Sequence, residues 1–202
     1  MIEDLTAKRT AALMAKLADN TKVALAAVTH VMALDVFYNG NLGYSALTIR
    51  GSETILNGHA QGIDKSAAVE ELAAAVKTVT KGMPKDEAKL WDWMMEQDQK
   101  ALLAILAVCV GSCVDTIQRK GQRASRHAPQ LAKALNLDMA KYWQPTADGY
   151  FSRVSKDLIL QAVTEGSGKP AADNIASLKK DAMADRAAKL LAGKNWLPAI
   201  LR

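Results

Sequence analysis

The chain has 202 residues, half of them apolar, enough to close one sizeable hydrophobic core or two smaller ones side by side. Aromatic residues make up 5% of it, and β-branched residues never alternate in a sustained period of two, which argues against a strand-rich fold. The net charge is +5, the longest uncharged apolar run (Ala101 to Val114) falls short of the roughly 20 residues that cross a bilayer, and the opening MIEDLTAKRT lacks the apolar stretch of a secretory signal, so a cytoplasmic protein with no membrane partner is expected.

Apolar residues at helical spacing (Leu5, Ala12 or Leu13, Leu17) predict an amphipathic helix over about Asp4 to Asp19, ended by Asn20-Thr21. A second, mostly buried helix is expected from about Thr21 to Phe37, with His30 at its core edge as a structural histidine. Turn formers fill Tyr38 to Gly43, and Ala46-Leu47-Thr48-Ile49 is the one stretch expected to be extended. A short helical piece near Thr54 to His59 and a turn at Gly62 to Ser66 lead into a helix over about Ser66 to Thr80, closed by Gly82, Met83 and Pro84.

Asp86 opens a helix carrying Leu90, Trp91, Trp93, Met94 and Met95, and Asp98 caps the next, which is expected to run to about Arg119. That helix has two apolar stripes, Leu102, Leu106, Cys109 and Cys113 on one and Leu103, Val110, Val114 and Ile117 on the other. It is the candidate central core helix. Its two cysteines form no C-x-x-C or zinc spacing and read as buried, reduced thiols.

The polar, basic break from Gln118 to His127 is the expected subdomain boundary, with a helical core over 1–120 and a basic helical subdomain over 121–202 packed on it, or a single domain throughout. Helices follow over about Ala128 to Leu135, as a short turn at Met139 to Trp143, and from Pro145 to near Phe151. Ser155 caps Lys156 to Glu165, stopped by Gly166-Ser167-Gly168, and a last helix spans about Leu178 to Ala192. The apolar tail from Trp196 is expected to fold back onto the body. The fold class is therefore all-α, a multi-helix orthogonal bundle of about 8–10 helices with at most one short extended segment near 46–50.

No nucleophile elbow, phosphate-binding loop or dinucleotide fingerprint occurs, and no histidine has a ligand-type partner at H-E-x-x-H-like spacing. No catalytic residue, metal ligand or cofactor is expected, and the chain does not read as an enzyme. His59 and His127 read as solvent-facing or phosphate-contacting; Asp92, Glu96 and Asp98 as a solvated face and a cap. Trp91 and Trp93 read as core sooner than as a base-stacking platform.

The charge is unevenly spread. Residues 1–114 hold 11 Lys+Arg against 13 Asp+Glu, a net −2, whereas residues 115–202 hold 15 against 8, a net +7. The basic groups fall into three clusters: Arg119, Lys120, Arg123 and Arg126; Arg153 and Lys156; Lys179 and Lys180. Two of them stand at predicted helix N-termini, where backbone N–H groups also attract phosphate oxygens. All eight are candidate nucleic-acid contacts, although Arg119 could simply pair with Asp115 one turn earlier.

Leu90-Trp91-Asp92-Trp93 with Glu96-Gln97-Asp98-Gln99, Ile117-Gln118-Arg119-Lys120-Gly121, Trp143-Gln144-Pro145-Thr146-Ala147, Tyr150-Phe151-Ser152-Arg153-Val154-Ser155-Lys156 and Trp196-Leu197-Pro198 together resemble the C-terminal region of bacterial ParB-type partition proteins, often labelled ParB-like nuclease-domain proteins. The resemblance covers essentially the whole chain. It implies a segment of a longer parent chain, whose nucleotide-binding ParB domain and helix-turn-helix have no counterpart in these residues, so no functional position carries over. It further implies a cytoplasmic, nucleoid- or plasmid-associated role in DNA segregation, with DNA, a second copy of the chain in a homodimer, and the remaining parent domains as partners. Self-association without direct DNA contact is the alternative. The segments beginning Ser155-Lys156-Asp157 and Leu178-Lys179-Lys180 also resemble the paired short helices of helix-extended-helix DNA-binding motifs.

Overall fold

The computed structural model describes residues 1–25, 27–28, 45–47, 54–86 and 89–202, without the Trp91 side chain. The expected turn at 38–43, His30 and most of the second helix lie outside the described residues. The rest is all-α: α1 (Ile2–Ala18), α2 (Ala67–Val79), α3 (Leu90–Met95), α4 (Gln99–Ser112), α5 (Ala128–Ala134), α6 (Lys156–Ser167), α7 (Lys169–Asp173) and α8 (Lys180–Leu191), with short 3-10 turns between them. Among the described residues, extended pairing is confined to one antiparallel bridge between Leu47 and Val114, beside the bond from Asp115 N–H to Ala46 O.

α1 is the centre of the molecule. It was expected to be amphipathic, yet Leu5, Ala7, Ala11, Ala12, Leu13, Met14 and Leu17 are all buried, as are the polar Asp4, Thr6 and Thr10. Small side chains let neighbours approach from every side, and the threonines conceal their polarity by donating back along the helix. Thr6 Oγ1 reaches Ile2 O and Thr10 Oγ1 reaches Thr6 O, each at 2.8 Å. The same two hydroxyls receive the chain after α4: Gln118 N–H donates to Thr6 Oγ1 at 2.9 Å, Thr116 N–H to Thr10 Oγ1 at 3.3 Å, and the Thr10 and Thr116 hydroxyls lie 2.6 Å apart.

α2 and α4 pack against α1. The expected caps are present, Ser66 Oγ accepting from Val69 N–H and Asp98 Oδ1 from Ala101 N–H. Two expectations for α4 are corrected. It ends at Ser112, because residues 115–119 are drawn out to meet the Thr6 and Thr10 hydroxyls. Of its two stripes, only Val110, Val114 and Ile117 are buried; Leu102 and Cys109 are exposed and Leu106 and Cys113 half-buried, so the cysteines are not interior thiols. Burial and the adjacent Cys109 push the Cys113 thiol up, toward its neutral form. The stretch at 54–59 is also not helical: Thr54 N–H donates to Ser112 O at 2.9 Å at the end of α4, and residues 57–59 form a turn closed by His59 N–H on Leu56 O at 3.2 Å.

In the second half, Ser155 Oγ caps α6 by accepting from Leu158 N–H. α6 and α8 lie side by side and parallel: Lys156 Nζ donates to Leu178 O at their N-terminal ends, and Ser167 Oγ to Leu190 O at their C-terminal ends. Gly166 permits this approach, since a Cβ there would fall 2.4 Å from Leu191 Cδ2. Next to the pair, Trp143, Tyr150, Phe151 and Trp196 form a buried aromatic cluster with ring centroids 5.3 to 6.4 Å apart. The tail folds back as expected: Leu201 is buried, the Ala199–Leu201 turn packs on α1, and Arg9 Nη1 donates to Ile200 O at 3.0 Å. Among the described residues, one buried cluster runs from Leu5 to Leu201.

The α1–α4 crossing depends on Gly111, where a Cβ would lie 2.8 Å from Met14 O and 2.9 Å from Ala18 N, both fixed backbone atoms. Gly-to-Ala within a helix ordinarily gains up to about 1 kcal/mol, less in the last turn where Gly111 stands. Gly111→Ala is expected to invert that sign and cost about 1–3 kcal/mol by overpacking, read as a lower thermal midpoint with the helical circular dichroism retained.

A second prediction concerns Glu165, whose carboxylate accepts from Trp196 Nε1 at 3.0 Å and Gln161 Nε2 at 2.9 Å and pairs with Arg202. These bonds hold its carboxyl below the ordinary carboxylate value. Its stabilisation is therefore present above the unfolded-state value of about 4.3 and is lost as pH falls through the lower folded-state value. The group is near the surface, so the effect is expected to be under about 1 kcal/mol. Glu165→Gln should flatten the acid limb of a thermal-midpoint profile below about pH 4.5 and leave the neutral limb parallel to wild type.

Candidate nucleic-acid interface

The eight candidate residues divide by what the fold already asks of them. Arg119 pairs with Asp115 at 2.9 Å, and the same carboxylate accepts Ile117 N–H at 3.1 Å, so this arginine stiffens the turn out of the extended segment. Lys120 and Arg123 follow on a turn at Gly121, whose φ of +81° suits glycine. Both are exposed and make no ion pair among the described residues. Arg126 is exposed and has a partner within the chain.

Arg153 is an internal clasp. Its Nε donates to Asp148 O at 3.0 Å and its Nη2 to Gln61 Oε1 at 3.2 Å, while Nη1 lies 3.7 Å from Asp4 Oδ1. It ties the 148–153 turn to the 61 loop and to the first turn of α1, which engages Nε and Nη2 and turns the group away from the outer surface where DNA would lie. Lys156 likewise directs its ammonium to Leu178 O at 2.6 Å. That bond brings Lys156, Lys179 and Lys180 to one end of the parallel α6/α8 pair. Lys179 and Lys180 are exposed, and the α8 N-terminus has no side-chain cap, so its first N–H groups face the same end. Asp157 and Asp181 occupy the first turns of the same helices and offset part of the charge.

Neither described histidine is a free phosphate contact. His59 Nδ1 sits 2.5 Å from Glu3 Oε1, and His127 Nδ1 accepts from Ala46 N–H at 2.9 Å. Trp196 is buried, with its indole N–H on Glu165, which removes it from any exposed aromatic surface. Among the described residues, no three His, Cys, Asp or Glu side chains come close enough to hold a metal, and no helix is long and apolar enough to cross a membrane.

One feature lies outside the expected list. A cleft of about 360 Å³ opens between α1, the 61–68 turn and the 142–153 arm, with Lys8 and Arg153 on its wall and Ile63 and Trp143 among its apolar lining. Both cations lean on buried Asp4, Lys8 Nζ at 2.9 Å from Oδ2. The Asp4/Lys8 spacing of one helical turn was readable in the sequence; the approach of Arg153 from 149 residues away was not.

No protein-family model matches the chain, and no solved structure matches it. It is 23% identical over 201 residues to the uncharacterized protein YubM of Escherichia coli strain K12, and to YubM of Escherichia coli O157:H7 at the same level. The match covers 98% of this chain but 31% of YubM, so the chain spans about a third of the length of the curated relatives it matches.

Proposed function

We propose that the chain is a non-catalytic module of a longer, ParB-type partition protein, and that it contributes phosphate contacts to DNA during chromosome or plasmid segregation. The observation that supports it most is the meeting of Lys156, Lys179 and Lys180 at the shared N-terminal end of α6 and α8, within a segment that carries +7. The contacts are assigned chiefly to Lys179 and Lys180 and to Lys120 and Arg123, because Arg119, Arg153 and Lys156 are engaged in holding the fold. Exposed aromatic groups near these cations are lacking among the described residues, which favours backbone contact over reading of single-stranded bases. A cytoplasmic, nucleoid- or plasmid-associated setting belongs to the same reading.

The test is a duplex titration at several salt concentrations. Affinity is expected to fall linearly on a log–log plot, with the slope reduced by about 0.9 for each phosphate contact removed. Lys179→Gln/Lys180→Gln and Lys120→Gln/Arg123→Gln should each flatten it by nearly two such steps without moving the thermal midpoint. Undetectable binding at low salt would overturn the reading.

A second reading, self-association as a homodimer, is favoured by the outward apolar stripe of α4, where Leu102 is 38% exposed, together with Met95 at 67%. Sedimentation over a broad concentration range should then show a reversible dimer that Leu102→Glu converts to monomer. A strict monomer throughout counts against it.

A further inference from the structure

The cleft between α1 and the 142–153 arm is not used by the DNA reading, and its chemistry is more specific than a charged surface. Two cations share one buried acid: Lys8 Nζ stands 2.9 Å from Asp4 Oδ2 and Arg153 Nη1 stands 3.7 Å from Asp4 Oδ1. The second separation is too long for a hydrogen bond, so Nη1 keeps its donors while Nε and Nη2 are occupied. Lys8 has two further ammonium protons. The Gln61 amide accepts from Arg153 through Oε1, which leaves its NH₂ as a donor, and the Gln144 amide makes no bond among the described residues. Asp148, the other acid on the wall, is exposed, where solvent and salt screen it.

A wall rich in unfilled donors, with two cations on one buried carboxylate and the second acid, Asp148, out in solvent, suits an acceptor-rich anion. Behind it, Trp143, Ile63 and Ala68 are each at most 6% exposed and supply an apolar backing. The volume of about 360 Å³ is at the small end of small-molecule sites. We infer that this cleft binds a small organic anion, its carboxylate or phosphate held by Lys8 and Arg153 and its compact apolar body set against Trp143. The two headgroups share the same recognition chemistry, planar or tetrahedral oxygens accepting charge-assisted hydrogen bonds.

The test titrates the full chain with inorganic phosphate, phenyl phosphate and benzoate, read by calorimetry and by tryptophan emission. Phenyl phosphate or benzoate should saturate and bind more tightly than inorganic phosphate. Lys8→Gln should weaken binding about tenfold, the loss of one charge-assisted hydrogen bond. Because Lys8→Gln bares Asp4 and could loosen the fold, Gln144→Glu serves as the second variant. It places a negative charge at an exposed, unbonded position, and should weaken binding at least as much with an unchanged thermal midpoint. Absence of saturation, equal affinity for inorganic phosphate and phenyl phosphate, or unaltered binding in Gln144→Glu would each overturn the inference. So would displacement of the probe by a DNA duplex whose own binding Gln144→Glu weakens equally, since the cleft would then be a DNA contact. Loss of duplex binding in the Lys179/Lys180 variant with probe binding intact separates the two proposals.

Discussion

The structure depends on a helix that is packed on all sides while carrying hydroxyls and a carboxylate. Burying polar groups is costly unless each finds a partner, and the hydroxyls and the carboxylate of α1 meet that condition in two ways, while Arg9 Nε on the same helix is buried without one. Its threonines are satisfied along their own helix and again by the 116–118 segment, and its Asp4 is met by Lys8 and Arg153. These bonds make α1 a template: the chain leaving α4 can pair with it in one register, because slipping by one residue would leave both Thr6 and Thr10 without their outside partners. Gly111 fixes where α4 crosses, and the Arg9 bond to Ile200 fixes where the tail returns.

The same bonds explain why the positive charge of the second half is less available than its amount suggests. Arg119, Arg153 and Lys156 are each turned inward by a carboxylate or a carbonyl that the fold places within reach. Of the eight candidates, Lys120 and Arg123 stay outward beside a turn and Lys179 and Lys180 at an uncapped helix start. Net charge is a property of composition, whereas available charge is decided by which backbone acceptors are left over after the helices close.

The all-α class, the Ser66, Asp98 and Ser155 caps, the boundaries of α2, α5 and α6, and the returning tail were legible in the sequence, because caps, glycine stops and 3.6-residue periodicity are local signals. What was not legible depended on distant partners. The sequence offers two apolar stripes on α4 and no local rule to choose between them; the choice follows from Gly111, which lets α1 approach on one face only. The sequence likewise shows α1 as ordinary and amphipathic, since alanine and threonine are neutral in such patterns and become core only when something packs on them. Of the candidate site, the clusters were visible as spacing, but the carbonyls that occupy Arg153 and Lys156, and the cleft beside Lys8, exist only in three dimensions.

The bond between Arg9 and Ile200 spans 191 residues, and that between Thr10 and Thr116 spans 106. Helical proteins usually fold fast because their contacts are local; this one defers its defining contacts until the far end of the chain is present. Closing bonds of such sequence separation places part of the loop-closure cost ahead of the contacts that repay it, a constraint more familiar in β-topologies than in helical bundles.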